Sequence, residues 1–198
     1  MKYTITLSAL SALFVLVSSG LSAPTYAESA AAGKYKIDQA HSTVEFSMSH
    51  LGVSYLVGRF NTFEGNITLI PNGKSEVNVT IQTASVDSNH QKRDDHLRGP
   101  DFFNSKQFPI MHFVSRKVNY NAAGEPVRVD GDLELHGVIK PVTLAVKPVG
   151  AGKDPWGGYR SGYTVTSTLK RSDFGMNFMS DGIGDDIAII FQIEAVKQ

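Results

Sequence analysis

Six histidines, at positions 41, 50, 90, 96, 112 and 136, are the side chains of this sequence best suited to proton transfer or metal binding. No two of them have the His-x-x-x-His or comparable spacing that would place two ring nitrogens on one metal ion. Asp94, Asp95 and His96 stand side by side and suggest acid/base work. Adjacent side chains in a helical stretch point to different faces, however, so they predict surface charges, with Asp94 or Asp95 near a helix N-terminus. The run Asp181-Gly182-Ile183-Gly184-Asp185-Asp186 is acidic and glycine-rich but departs from the order of ligands in a calcium loop, and predicts a solvated turn. There is no Gly-x-Ser-x-Gly elbow, and with no cysteine there is no thiol nucleophile. The residues therefore predict a protein that is not an enzyme, with no catalytic residue, no metal site and no required cofactor.

The elements around these residues are strands. Period-two alternation of apolar and polar residues dominates. In 43–49, Val44, Phe46 and Met48 share a face; in 76–82, Val77, Val79 and Ile81 do. In 127–136 the apolar face is Val127, Val129, Leu133 and Leu135, with His136 on the polar, solvated face. In 186–195 it is Ile187, Ile189, Phe191 and Ile193. Less regular strands cover 57–70, 110–120, 141–149 and 159–171. Turn signals separate them: Pro71-Asn72-Gly73, with Gly73 able to take positive φ, then 121–124, 137–141 and 153–158. About eight strands joined by short links predict an all-β sandwich or antiparallel barrel.

One connection is long. Between Ile81 and Ile110 the alternation stops; 92–97 suits a helical turn and 101–105 a second. The segment carries Leu97, Phe102, Phe103 and Phe108, apolar surface that needs something to cover.

The ends of the chain bound its setting. Met1-Lys2, an apolar run around 10–17, then Ser18-Ser19-Gly20 and Thr25-Tyr26-Ala27 read as a signal peptide, 1–27, cleaved after Ala27. Residues 28–34 read as a short flexible leader and 35–198 as one domain. Nineteen basic residues balance nineteen acidic ones, so there is no electrostatic footprint for nucleic acid. No later apolar run is long enough for a transmembrane helix. Export without cysteine fits the periplasm of a bacterium.

Four blocks, in order along the chain, resemble the YceI family. The first is "YKIDQAHSTVEFSMSHLGVSYLVGRFNTFEGNI" (35–67), with Ile37-Asp38, His41-Ser42, His50, Gly58, Phe60, Phe63 and Gly65 at the family's positions. The others are "RDDHLRGPDFFNSKQFPIMHF", "GDLELHGVIKPVTL" and "KRSDFGM". Tyr35 stands where the family often has Trp, and Ile139 where it often has Thr. The resemblance implies a lipocalin-like, eight-stranded antiparallel barrel with a long, partly helical connection between strands 3 and 4. It also implies a long isoprenoid, an isoprenoid quinone or a similar amphiphilic lipid as ligand and partner, bound in an elongated interior.

The ligand-binding positions then expected are Val44, Phe46, Met48, Phe60, Phe63, Val79, Ile81, Leu97, Phe102, Phe103, Phe108, Phe113, Leu133, Leu135, Ile189 and Phe191. Met48, Met111, Met176 and Met179 would add soft, adaptable surface. His50 and Arg171 are candidates for head-group contact at the mouth, although Arg171, in Arg171-Ser172-Asp173-Phe174-Gly175, is better placed to tie a loop to the barrel end. His41 is expected to bond turn backbone. Two other architectures satisfy the alternation: a barrel with a filled core used as an interaction module, and an eight-stranded outer-membrane barrel, whose apolar faces would point outward. A homodimer is compatible with the sequence.

Overall fold

A computed structural model describes residues 29–198; the segment expected to be a signal peptide, and its expected cleavage point, lie outside the described residues. The strands are β1 (Gly33–Ile37), β2 (Thr43–His50), β3 (Ser54–Phe60), β4 (Phe63–Leu69), β5 (Glu76–Gln82), β6 (Val86–Asp87), β7 (Ile110–Tyr120), β8 (Pro126–Leu135), β9 (Val138–Lys153), β10 (Tyr159–Lys170) and β11 (Asp186–Lys197). A single α-helix, α1 (Gln91–Leu97), accompanies them among the described residues.

Every pairing is antiparallel. The ring β1–β4–β5–β7–β8–β9–β10–β11 closes on itself because β1 also pairs β11, Ile37 standing opposite Ala195. Closure removes the open edges of these eight strands and leaves one on β3, which pairs β6 only at Arg59 and Phe60. Three staves are bent. β2 continues β1 beyond the tight turn Gln39–His41, and β3 continues into β4 after a break at Asn61-Thr62. β11 is long enough to pair β1 near its C-terminus and β2 nearer its start, with Phe46 opposite Ile189. β6 extends the β5 stave by pairing β3 at Phe60–Val86. Except at the tip of β3, where Tyr55 and Val57 are exposed, the strands turn an apolar face into the barrel, the reverse of a membrane-spanning barrel.

Several local expectations are corrected. The first strand starts at Gly33, inside the segment expected to be a flexible leader; Gly33 and Lys34 pair with Leu69 and Thr68. The Tyr35 hydroxyl bonds the Ala31 carbonyl, so the residues before the strand are docked as well. The 57–70 strand is interrupted because Phe60 and Phe63 both point inward, which three-residue spacing forbids in one regular strand. In the β4–β5 turn the left-handed residue is Asn72 (φ 65°), not Gly73. Segment 101–105 forms tight turns rather than a second helix. Val127 is exposed, since the β7–β8 register shifts near that end. His136 is not solvated: with Gly137 it forms the β8–β9 turn (φ 53° and 76°), and its Nδ1 lies 2.9 Å from the Phe174 carbonyl.

At the start of β10, Arg160 gathers three carboxylates. Its guanidinium reaches Asp38 at 2.6 Å, Glu194 at 2.5 Å and Asp154 at 2.9 Å. Asp38 also accepts from Ala40 N and lies 2.9 Å from His41 Nδ1, so His41 meets a carboxylate rather than backbone. Asp38, His41 and Glu194 have metal-ligand atoms close together, but the guanidinium already supplies the positive charge between both carboxylates. Arg160, then His41, hold the Asp38 carboxyl down to about 2. A carboxyl depressed in the folded state adds stability that is present above its unfolded value and is lost as pH falls through the folded one. The melting temperature should hold steady down to about pH 4 and then fall toward pH 2. Asp38→Asn should flatten part of that fall; an unchanged acid limb in thermal melts would show that the network adds nothing.

Candidate functional site

Inside the barrel the inward side chains do not fill the space. Val77, Val79, Leu133, Val165, Ile189 and Phe191 face the interior and pack on the core, yet each is only partly buried. What they expose is the wall of a cavity.

That cavity has two segments end to end. The inner one, about 100 Å³, lies among Ile67, Leu69, Phe113, Val129, Val142 and Tyr163. The outer one, about 110 Å³, lies among Phe46, Phe60, Leu97, Phe102, Phe103 and Leu135. Val44, Ile81, Met111, Leu133, Leu169, Ile189 and Phe191 line both, which makes them the waist of one elongated tunnel. Interiors are normally close-packed, and an apolar void of this size stays dry. At ~24 cal/mol per Å³, each segment left empty costs about 2–3 kcal/mol. Hydrocarbon placed there restores the missing contacts.

The connection between β5 and β7 makes one end of the tunnel. The side chain of His90 caps α1, and Asp94 is buried where it accepts from Ser88 N and Oγ. Arg93 bonds Ser88, and Arg98 bonds the Ala84 and Val86 carbonyls, so the helix is tied to the β6 backbone. Asp95 pairs with Arg98 and His96 with Asp101, which gives each of the adjacent polar residues a separate structural partner. Leu97, Phe102 and Phe103 are thereby held over the barrel end. Phe103 stands edge-on to Phe60 and Phe46, with ring centres 5.2 and 6.2 Å away.

Beyond this layer lies an open cleft of about 200 Å³, the mouth. Its walls are the β2–β3 hairpin (His50, Leu56, Val57), α1 (Arg93, His96) and the loop before β11 (Phe178, Met179). His96 stands edge-on between Phe102 and Phe178, at 5.0 and 5.2 Å. The cleft shares Phe46, Met48, Leu97, Phe102 and Ile183 with the outer segment, so tunnel and mouth are neighbours on either side of these side chains.

Of the apolar positions expected to meet a ligand, all but Phe108 line the tunnel. Phe108 packs edge-on against His136 at 4.7 Å, outside the tunnel, because the turns after Phe103 carry it over the β8–β9 turn. The four methionines do line the path: Met111 at the waist, Met48 and Met176 in the outer segment, Met179 at the mouth. His50 is at the mouth. Arg171 is not free to take a head group. It is 5% exposed, and its guanidinium donates to the carbonyls of Met176, Phe178, Ile183 and Gly184 at 2.6–3.0 Å. It is the pin of the mouth loop, as its place after β10 suggested.

Sequence reasoning missed the walls given by β9 and β10: Val142, Leu144, Val146, Tyr163, Val165 and Leu169. The β9 set alternates and could have been found. Arg93, His96 and Phe178 at the mouth carried no such signal.

The model of the YceI-like domain matches residues 35–195. The chain belongs to the YceI family. A UPF0312 protein of Pseudomonas aeruginosa is 43% identical over 173 residues, covering 85% of this chain and 90% of that one. A UPF0312 protein of Serratia proteamaculans is 44% identical over 175 residues, covering 86% and 90%. Among solved structures, the Campylobacter jejuni YceI protein superposes with a TM-score of 0.65 at 30% identity, covering 76% of this chain and 90% of its own. A polyisoprenoid binding domain from Saccharophagus degradans shares the fold, with a TM-score of 0.62 at 17% identity, covering 83% and 98%. YceI membership and the closed eight-stave ring agree with each other on the fold.

Proposed function

We propose that this YceI protein is a periplasmic carrier for a long-chain amphiphilic lipid, a polyisoprenoid or an isoprenoid quinone. The observation that carries the reading is the tunnel: narrow, apolar, unfilled cavity segments set end to end between the barrel interior and an open mouth. A narrow path suits a flexible chain better than a compact ligand. The fold shared with the Saccharophagus degradans polyisoprenoid binding domain favours the same kind of chain. Burying hydrocarbon gains ~0.8 kcal/mol per CH₂, enough to hold a long chain against its own very low solubility. The polar end of the ligand stays at the mouth, beside His50.

The protein acts by holding and releasing its ligand, not by converting it. Polar groups at the mouth are engaged in structural pairs, Ser88 with Asp94 and Arg93, and His96 with Asp101. The N-terminal sequence pattern supports the periplasm.

Purifying the mature protein from the periplasm of a Gram-negative host and extracting it with organic solvent tests both parts. Mass spectrometry should find about one long-chain lipid per protein. An empty extract from folded protein would overturn the carrier reading and favour an interaction module. Recovery only from the cytoplasm would overturn the location.

A further inference from the structure

The outside of the mouth is apolar too. Leu51, Val53, Tyr55 and Val57, on the β2–β3 hairpin, are 55%, 82%, 76% and 59% exposed. Across the cleft, Phe178 and Met179 are 40% and 48% exposed. These are one patch: Leu51 and Met179 both lie against Gly182, while Val57, Phe178 and Met179 also line the cleft. A contiguous apolar rim of this kind marks an interaction surface.

Its setting indicates the partner. A ligand with almost no aqueous solubility resides in a bilayer, and a chain leaving that bilayer crosses water unless the mouth is pressed against it. Residues 47–58 contain no acidic side chain. On the facing wall, 88–93 also lacks acids and adds Lys92, which is exposed, and Arg93. Asp181 is the one acid among residues 175–184 of the mouth loop; Asp95 and Asp101, farther out, are paired with Arg98 and His96. A rim that is apolar at its tip, with basic residues beside it and an aromatic hydroxyl at Tyr55, matches the surface of an anionic phospholipid bilayer.

We infer that this rim docks the mouth onto an anionic bilayer, so that lipid passes between membrane and tunnel without crossing water. The inference rests on the carrier reading and adds where loading takes place. The hairpin tip and the loop tip enter the interface, and Lys92 meets the lipid phosphates.

The test compares the mature protein with Val53→Asp/Tyr55→Asp and with a control, Val149→Asp. Val149 is 69% exposed but lies toward the opposite end of the barrel, beside Gly162. All three are mixed with vesicles of equal parts phosphatidylethanolamine and phosphatidylglycerol carrying a long-chain polyprenol. Flotation reads vesicle binding, and extraction of the re-isolated protein reads uptake. Wild type and control should float and load alike, with binding weakened by salt. The rim variant should load at least about tenfold more slowly, with its thermal melt unchanged.

Equal loading by the rim variant would overturn the inference. So would failure of wild type to float while it purifies with lipid, and that outcome would leave the carrier reading intact. The outer edge of β3 from Ser54 to Gly58 has no strand partner among the described residues. A wild type that sediments as a dimer and does not float, with a monomeric rim variant, would therefore reassign the patch to a second copy. Absence of lipid from wild type both as purified and after the vesicle step would instead count against the carrier reading.

Discussion

Replacing Arg171 by methionine should remove roughly 3 kcal/mol or more of folding stability, the largest loss expected for any single side chain at the mouth. The cause is convergence. Four backbone carbonyls, of Met176, Phe178, Ile183 and Gly184, turn toward one buried guanidinium. Removing it leaves acceptors without donors, at about 1–3 kcal/mol for each that stays dry, less for any that reaches water as the loop opens. Methionine keeps most of the apolar stem, so the loss isolates the hydrogen bonds. Lysine is a poor substitute: its ammonium is a point, whereas the four carbonyls are spread around a planar fork. Against a total of about 5–15 kcal/mol for a domain, the urea midpoint should drop clearly with the slope unchanged.

The remaining ties of that loop are weaker. Gly175, at φ 77°, turns the chain, and Asp185 accepts from Ser172 N and Oγ. Hydrogen exchange should therefore quicken across 175–185 before the rest of the barrel opens. Phe178 and Met179 belong to this loop, so lipid retention should fall as well. A stability change below about 1 kcal/mol would show that the loop holds itself and that the guanidinium is dispensable.

Whether such features could be read in advance depended on range. The faces of β5 and β11 were legible because Val77, Val79 and Ile81, and Ile187 to Ile193 at alternate positions, follow the two-residue period of a pleated strand. β10 hid its inner face, since serines and threonines occur on both sides of Tyr163, Val165 and Leu169. In β9, Pro141 and Pro148 obscured a strand that runs on to Lys153. The bend at Asn61-Thr62 was available in the spacing of Phe60 and Phe63, because two inward residues three apart require a phase break. Phe108 was misassigned for a related reason: its aromatic neighbours set the expectation, but the turns between them set the direction. The mouth could be read only in part, through His50. It joins His50, Arg93, His96 and Phe178 from three distant parts of the chain, and nothing periodic links them. The four carbonyls around Arg171 are backbone groups, invisible to any pattern of side chains.

Leu133→Trp should empty the protein of long-chain lipid while leaving the barrel folded. Leu133 is at the waist, shared by the inner and outer segments, and faces Phe113 across the β7–β8 pair. An indole there takes up space the ligand needs to pass from one segment to the other. Overpacking of this kind costs about 1–3 kcal/mol, and the cost is partly offset here because the side chain grows into a void. The loss to the ligand is larger. Each five-carbon isoprene unit kept out of the barrel forfeits roughly 3–4 kcal/mol of burial, and every 1.4 kcal/mol is tenfold in affinity. Blocking even one unit should lower bound lipid by at least two orders of magnitude at limiting concentration. A chain short enough to fit the outer segment should still bind, so the variant should shift preference toward short prenols rather than lose all affinity. Val114→Trp, exposed on the outer face of β7, supplies the control for the added bulk. Wild-type lipid content in the Leu133→Trp protein would mean that the two segments are separate voids, and that the ligand uses only one of them. The shift in chain-length preference separates a blocked tunnel from a damaged barrel, because damage would weaken short and long chains alike.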